Sequence, residues 1–258
     1  MVRGLYTAYT GMVNQQKRLD TITNNLANAS TTGYKREGAT ARAFNEYMGV
    51  RVNDATVGYK VTNIGNMSLG VKIGENYTDY SQGSLRNTEN TYDLALEGNG
   101  FFSISFTNKQ GEQSIKYTRD GNFTLDAEGA LRTTDGDFVQ GENGDIYIPT
   151  DAAQVAITST GDIYADGEYI DTVKIVDFED YNYLKKYGEN MYDIVDGAVE
   201  TKPTAILHQG YLEASNINAV SEMVEMITIT RAYESNQKAL QTADSMIEKA
   251  VNEVGRLG

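Results

Sequence analysis

The sequence predicts an α+β fold, in which long N- and C-terminal helices form a coiled-coil-like domain around a central, mainly antiparallel β domain. Three observations carry this. Apolar residues recur in seven-residue steps at both ends, glycine numbers 25 against 2 prolines in 258 residues, and apolar/polar alternation fills the middle. A seven-residue step lays a narrow apolar stripe along a helix and calls for a partner helix. Abundant glycine with little proline favours strands joined by tight turns over extended linkers. A 40% hydrophobic content is enough for a packed core.

Residues 1–33 carry the first helix, helical from about 3 to 29. Leu5, Met12, Leu19 and Leu26 form its seam, and Ile22 adds a second row. The run Asn28, Ala29, Ser30, Thr31, Thr32, Gly33 ends it. Residues 34–80 read as an irregular extended linking region, broken by Gly49, Gly58, Gly65, Gly70 and Gly74. Residues 81–212 read as the β domain: Phe102, Ile104 and Phe106 alternate, and turn signals stand at Asp120-Gly121, Asp135-Gly136, Asn143-Gly144 and Asp166-Gly167. Such spacing points to a twisted antiparallel sheet or a partly closed barrel. Residues 213–258 carry the second helix, continuous from near Ser215-Asn216 toward Val254. Met226, Tyr233, Leu240, Ile247 and Val254 make one row, and Ile229, Asn236, Ala243, Ala250 and Leu257 follow three behind. Ser221 is placed to cap this helix, with Glu222 and Glu225 in its first turn, where the helix dipole favours carboxylates. Stripes this narrow do not stay buried alone. The ends are expected to be largely disordered in a dilute monomer and to fold against neighbours.

The net charge of −14 is unevenly spread. Residues 1–43 hold six Lys/Arg against two Asp/Glu, and residues 213–258 hold four against seven, so the ends differ in sign and the middle is strongly acidic. An acidic centre lacks the basic footprint that nucleic acid and anionic lipid require, so no nucleic-acid partner is expected. The basic end either complements the acidic C-terminal helix, the simpler reading, or binds phosphate. The absence of cysteine rules out disulfides and thiolate metal sites. No stretch is apolar enough to suggest a cleaved secretory signal or direct membrane insertion.

The chemistry of catalysis is poorly represented. His208 is the only histidine and there is no cysteine, so a nucleophilic triad has at most one base. The carboxylates of residues 120–171 sit on turn signals and read as solvated loop residues. Asp162, Tyr164, Asp166 and Gly167 resemble part of a calcium loop, but Tyr164 and Val173 stand where oxygen ligands belong, so a hairpin turn is the better reading. Gly98-Asn99-Gly100 runs into the strand-like Phe101-Phe102 and not into a helix, unlike a dinucleotide loop. The 18 tyrosines, without tryptophan or a basic groove, read as packing residues. No catalytic residue, cofactor or metal is expected, and the chain reads as a non-enzyme.

Several motifs resemble the bacterial flagellar rod and hook proteins. At the N-terminus these are Leu19-Asp20, Asn24-Asn25-Leu26-Ala27-Asn28 and Thr32-Gly33-Tyr34-Lys35-Arg36. Toward the C-terminus they are Leu212-Glu213-Ala214-Ser215-Asn216, Glu222-Met223, Met226-Ile227, Arg231-Ala232-Tyr233-Glu234 and Thr242-Ala243-Asp244. Internal stretches agree, among them Ser81-Gln82-Gly83-Ser84-Leu85, Tyr117-Thr118-Arg119-Asp120-Gly121 and Gly188-Glu189-Asn190-Met191-Tyr192. The resemblance implies a structural subunit of a helical tube that transmits torque. Its terminal helices would form the inner tube and its β domain would face outward. It also implies a homopolymer, neighbouring rod and hook subunits, and export by the flagellar type III apparatus without signal cleavage. The location implied is the basal body, outside the cytoplasmic membrane. The length fits a rod subunit, and the long stretch between Gly33 and Ser81 is similar to the distal branch of the family. Thr230 stands where that branch commonly has glutamine, which keeps the proximal branch open as the alternative. The self-assembly interface expected is Leu5, Met12, Leu19, Ile22, Leu26, Met226, Ile229, Tyr233, Leu240, Ile247 and Val254. Asn24, Asn25 and Asn28 either hydrogen-bond across subunits or terminate the helix. Outside the family, the competing reading is a soluble ligand-binding β module with an intramolecular coiled coil.

Overall fold

The computed structural model describes residues 2–51, 62–68, 70–108 and 111–254. It is α+β, with a helix at each end and a mainly antiparallel β body, and the chain divides into two compact units. Gly58 and Leu257 lie outside the described residues.

One unit takes residues 1–27, 37–79 and 218–258. It holds α1 (Val2–Ala27), strands β1 (Glu37–Ala43), β2 (Tyr47–Arg51), β3 (Thr62–Met67) and β4 (Val71–Thr78), and α2 (Ala219–Lys249), whose last residues run into a π-helical turn at Ala250–Val254. The strands pair as two separate antiparallel ribbons, β1 with β4 and β2 with β3. The β1–β4 register slips between Ala39 and Ala41. The helix starts correct two sequence expectations. α2 begins at Ala219, and its cap is Asn218, whose Oδ1 accepts from the amides of Val220 at 3.1 Å and Ser221 at 3.2 Å. Ser221 is thus a recipient of the cap and not the cap itself. Asn218 lies earlier on the extended approach, where its backbone (φ −95°, ψ 104°) leaves the side chain free to turn back over the first turn.

The other unit takes residues 28–36 and 80–217. It holds β5 (Leu85–Asn87), β6 (Leu94–Glu97), β7 (Phe101–Thr107), β8 (Gln113–Thr118), β9 (Phe123–Leu125), β10 (Leu131–Thr133), β11 (Phe138–Val139), β12 (Val155–Ile157), β13 (Asp162–Ala165) and β14 (Glu168–Thr172). Beyond these come β15 (Ile175–Phe178), β16 (Leu184–Tyr187), β17 (Met191–Ile194), β18 (Glu200–Thr201), β19 (Ile206–Gln209) and β20 (Tyr211–Glu213). The main sheet runs as an open path β16-β17-β8-β7-β11-β10-β9, with β15 pairing β7 and β18. Strands β12, β13 and β14 form a meander, and β6–β19 and β5–β20 pair as ribbons. Strand β7 is the hinge of the packing. Side chains alternate across a strand, and its first two residues serve two cores. Phe102 packs with Leu94, Phe123, Leu131, Ile146 and Ile163. Phe101 packs with Tyr117, Phe178, Leu184 and Tyr192. The second core is largely aromatic, with Tyr117 and Phe178 edge-on at 5.0 Å between ring centroids. Asp166-Gly167 makes the expected hairpin turn between β13 and β14, with φ of 48° and 87°, the left-handed pair that such a two-residue turn requires. Asp120-Gly121 is not a hairpin turn: Gly121 O accepts from Leu94 N at 3.0 Å and ties β6 to the loop before β9.

Candidate functional site

In the helical unit, α1 and α2 pack against each other. Three pairs fix their direction. Asn25 Nδ2 lies 3.3 Å from Glu222 Oε2, Arg18 Nη2 lies 3.0 Å from Glu225 Oε1, and Gly11 abuts the side-chain amide of Asn236. As the α1 numbers fall the α2 numbers rise, so the helices are antiparallel. That register sets Leu5 level with Leu240, Met12 with Tyr233 and Leu19 with Met226. Ile22 and Ile229 are buried, while Leu5, Met12, Leu19, Leu26, Met226, Tyr233, Leu240 and Ile247 are half-buried. The side chain of Val254 lies outside the described residues. Asn236 and Ala243 of α2 and Ala250 just beyond it are half-buried as well. On α1 the deepest positions include two polar ones, Asn14 and Asn25, which a count of apolar residues passes over.

Asn25 acts as a clasp. Its Oδ1 accepts from Glu37 N at 3.0 Å and its Nδ2 donates to Glu37 O at 2.8 Å, which satisfies both backbone groups of the residue opening β1. Asn28, also buried, holds the turn after the helix: its carbonyl accepts from Thr31 N at 3.2 Å and its Oδ1 from Thr31 Oγ1 at 3.2 Å. Asn24 and Ala27 are exposed.

The β unit gathers the remaining motifs around one carboxylate. Glu213, fully buried on β20, meets Lys35 Nζ at 2.5 Å and Arg119 Nη1 at 3.2 Å. It also accepts from Gly83 N at 2.8 Å. Lys35 donates further to Ser81 O at 2.9 Å, and Arg119 to Gly98 O at 2.6 Å. Residues 28–36 are thereby held into the body: Gly33 N donates to Glu213 O at 2.8 Å, and Arg36 N to Asn216 Oδ1 at 2.8 Å. Asn216 in turn donates to Ser81, and Ser215 Oγ accepts from Ile217 N. Gly33 has φ +65°, and any Cβ there would strike the backbone of Arg119 and Asp120, so only glycine fits. Tyr34 is fully buried with Lys186 Nζ 3.9 Å from its ring centroid. Lys35, Arg119 and Glu213 belong to the quoted motifs without standing among the expected interface residues. Glu213 closes β20 beside buried Leu212, and the sequence reading places it at the start of the C-terminal helical segment instead.

An open cleft of about 800 Å³ borders this lock, lined by Thr32, Asp120, Asp135, Asp137, Glu189 and Asn190 among others. Burial pushes Asp120 above the usual carboxylate range, against hydrogen bonds from Thr32, Asn122 N and Asn190 that pull it down. Asp162 is held below that range by Thr172 first and then Thr160, and it serves the turn before β13. His208 pairs with Glu97 at 2.7 Å on the exposed side of the β6–β19 ribbon. Arg231 and Glu234 stand exposed on α2, and Tyr233 is half-buried. No described helix is long and apolar enough to cross a membrane. What the arrangement offers is mechanical: a helix pair with a sparse seam, and a body locked to the segment that follows α1.

Three family models match the chain: "Flagella basal body rod protein" over residues 5–35, "Flagellar hook protein FlgE/F/G D1 domain" over 95–165, and "Flagellar basal body rod FlgEFG protein C-terminal" over 208–253. The chain is 36% identical over 268 residues to the flagellar basal-body rod protein FlgG of Bacillus subtilis, covering 98% of this chain and 99% of that one. It is 33% identical over 264 residues to FlgG of Buchnera aphidicola from Acyrthosiphon pisum, covering 96% and 98%. The flagellar hook-basal body complex protein FlhO of Bacillus subtilis is 30% identical over 272 residues, covering both chains in full.

Proposed function

This chain belongs to the flagellar basal-body rod protein family and is a structural subunit of the rod, and from that premise we propose that it is the distal rod subunit, a non-enzymatic homopolymer that carries torque to the hook. The observation that carries the reading is the end-to-end match to rod proteins, together with helices whose seam is only half-covered within one chain. A stripe that leaves Leu5, Met12, Leu240 and Ile247 half in solvent gains its full burial only when other helices close over it. The terminal pair is then the coiled-coil-like inner wall of a tube, and the interface expected from sequence, Val254 included, is its packing surface. The long stretch between Gly33 and Ser81 favours the distal position over the proximal one. Export through the flagellar type III apparatus, with the N-terminus uncleaved, fits marginal ends that fold on arrival. Neighbouring rod and hook subunits are its partners in the basal body.

Gold-labelled antibody against an epitope-tagged chain in isolated basal bodies tests the assignment. Label on the rod segment adjoining the hook is expected. Label at the membrane-proximal base would replace the distal reading with the proximal one, and label off the rod would end both.

A further inference from the structure

The chain has two Asn-Gly pairs, Asn99-Gly100 and Asn143-Gly144, each with an exposed asparagine. Asparagine is a thermolabile residue, because the backbone nitrogen of the next residue can attack its side-chain carbonyl carbon, and glycine, having no Cβ, obstructs that attack least. By sequence the two pairs are equally open to this chemistry. The structure separates them. Asn143 Nδ2 donates to Asp171 Oδ1 at 2.9 Å, and Asp171 is itself buried and fixed by the amide of Thr172 at 2.8 Å. The turn that carries Asn143 is closed by Gly141 N donating to Gly144 O at 2.6 Å. Turning the Asn143 carbonyl carbon onto Gly144 N therefore breaks a hydrogen bond to a carboxylate. Asn99 has no such tether: among the described residues, neither its side-chain amide nor the N–H of Gly100 has a hydrogen-bond partner.

We propose that Asn99 is a site of spontaneous covalent modification, a self-deamidating residue whose conversion loosens the buried cluster around Glu213 as the molecule ages. Gly100 N forms a bond to Asn99 Cγ, the Cγ–Nδ2 bond breaks, and the side-chain nitrogen leaves as ammonia with the Gly100 amide proton, closing a succinimide ring. Water then adds to one of the two ring carbonyls and breaks its bond to Gly100 N. Breaking at Cγ gives aspartate; breaking at the main-chain carbonyl gives isoaspartate, in which the backbone runs through the former side chain and is one carbon longer. The place makes that extra carbon consequential. Residues 98–100 join β6 to β7 and are tied on both sides: Gly98 N donates to Gln82 Oε1 at 3.0 Å and Gly98 O accepts from Arg119 Nη2 at 2.6 Å, while Phe101 is buried in the aromatic core with the Arg119 guanidinium 5.3 Å from its ring centroid. Lengthening the chain between these anchors draws Gly98 O off Arg119 or Phe101 out of the core. Arg119 is the residue that shares Glu213 with Lys35, so either movement weakens the lock.

Full-length native protein aged in mildly alkaline buffer, then digested and mapped by mass spectrometry with fragmentation that separates isoaspartate from aspartate, tests the site. Conversion at Asn99 is expected to run about tenfold or more ahead of Asn143, the factor that one hydrogen bond to a charged group is worth. The two rates should become equal when the same chain is aged in urea, where the tether to Asp171 is gone. Equal rates in the folded protein overturn the proposal, and so does a difference that persists in urea, which would belong to the local sequence and not to the fold. The effect on the lock has its own readout. The isoaspartyl fraction, separated by ion exchange, is expected to exchange the amides of Gly33 and Gly83 faster than fresh protein, since both donate to Glu213, and aged Asn99→Gln should keep them slow. Unchanged exchange in the isoaspartyl fraction would overturn the link between the modification and the lock.

Discussion

Lys35 and Arg119 both pair with the buried carboxylate of Glu213, and that sharing ranks the mutants. Lys35→Met leaves the Arg119–Glu213 pair in place, but Glu213→Gln takes the shared carboxylate from both cations. Removing one partner from a buried pair costs about 3–5 kcal/mol, so Glu213→Gln is expected to reach the upper end and Lys35→Met to fall below the lower, measured by urea denaturation of the β body. Equal losses would mean that the two cations do not share the carboxylate. The acids titrate in opposite senses. Asp120 is raised, so its proton is held more tightly folded than unfolded, and its contribution to stability is lost as pH rises through its folded pKa. Asp162 is lowered, so its contribution is present above the unfolded value and is lost as pH falls through the folded one. Carboxyl NMR should find Asp120 titrating above the ordinary aspartate midpoint and Asp162 below it, and Thr172→Ala should move Asp162 alone upward. The motif residues were legible as a family signature, but their physical roles were not. Asn25 reads equally well as a helix terminator or a contact between chains, and only the backbone of Glu37 arriving beside it shows that it closes the chain on itself.

The two helices were the most legible elements, because a seven-residue step is a local pattern that needs no knowledge of the partner. Their direction was not legible, since the same stripes serve parallel or antiparallel pairs, and Arg18, Asn25 and Gly11 settle it through contacts more than 190 residues away in sequence. The start of α2 is set by a single side chain, Asn218. Asn218→Ala should lower the stability of α2 by about 1 kcal/mol, visible as faster amide exchange at Val220 and Ser221, while Ser221→Ala should leave those amides unchanged. Leu240→Asp places a carboxylate on the seam. It is expected to abolish polymerisation and motility with the β body still folded by circular dichroism, and a motile mutant with normal rods would contradict the packing role given to that seam. The strands were legible as a class and not as pairings. Alternation marks Phe102, Ile104 and Phe106 as one face of β7, but that Phe101 heads a second core depends on β8, β15 and β17 being brought beside it.

At the scale of the whole chain, domain boundaries by composition differ from compact units by contact. Residues 28–36 sit in sequence beside α1 but belong to the β unit, through Gly33, Lys35 and Arg36. Limited proteolysis of the dilute protein is therefore expected to cut within 37–79 and beyond 217, and the N-terminal peptide containing residues 28–36 should remain bound to the 80–217 fragment in native mass spectrometry. Release of that peptide would show the lock to be weak. The same lock has a consequence in time. Lys35 comes from the first seventh of the chain and Glu213 from the last fifth, so the body cannot be finished while either stretch is still inside a passage too narrow for folded protein. Whichever end leads, nearly the whole chain must have emerged before the last charges meet. If the chain is exported as proposed above, completion of this lock marks complete delivery.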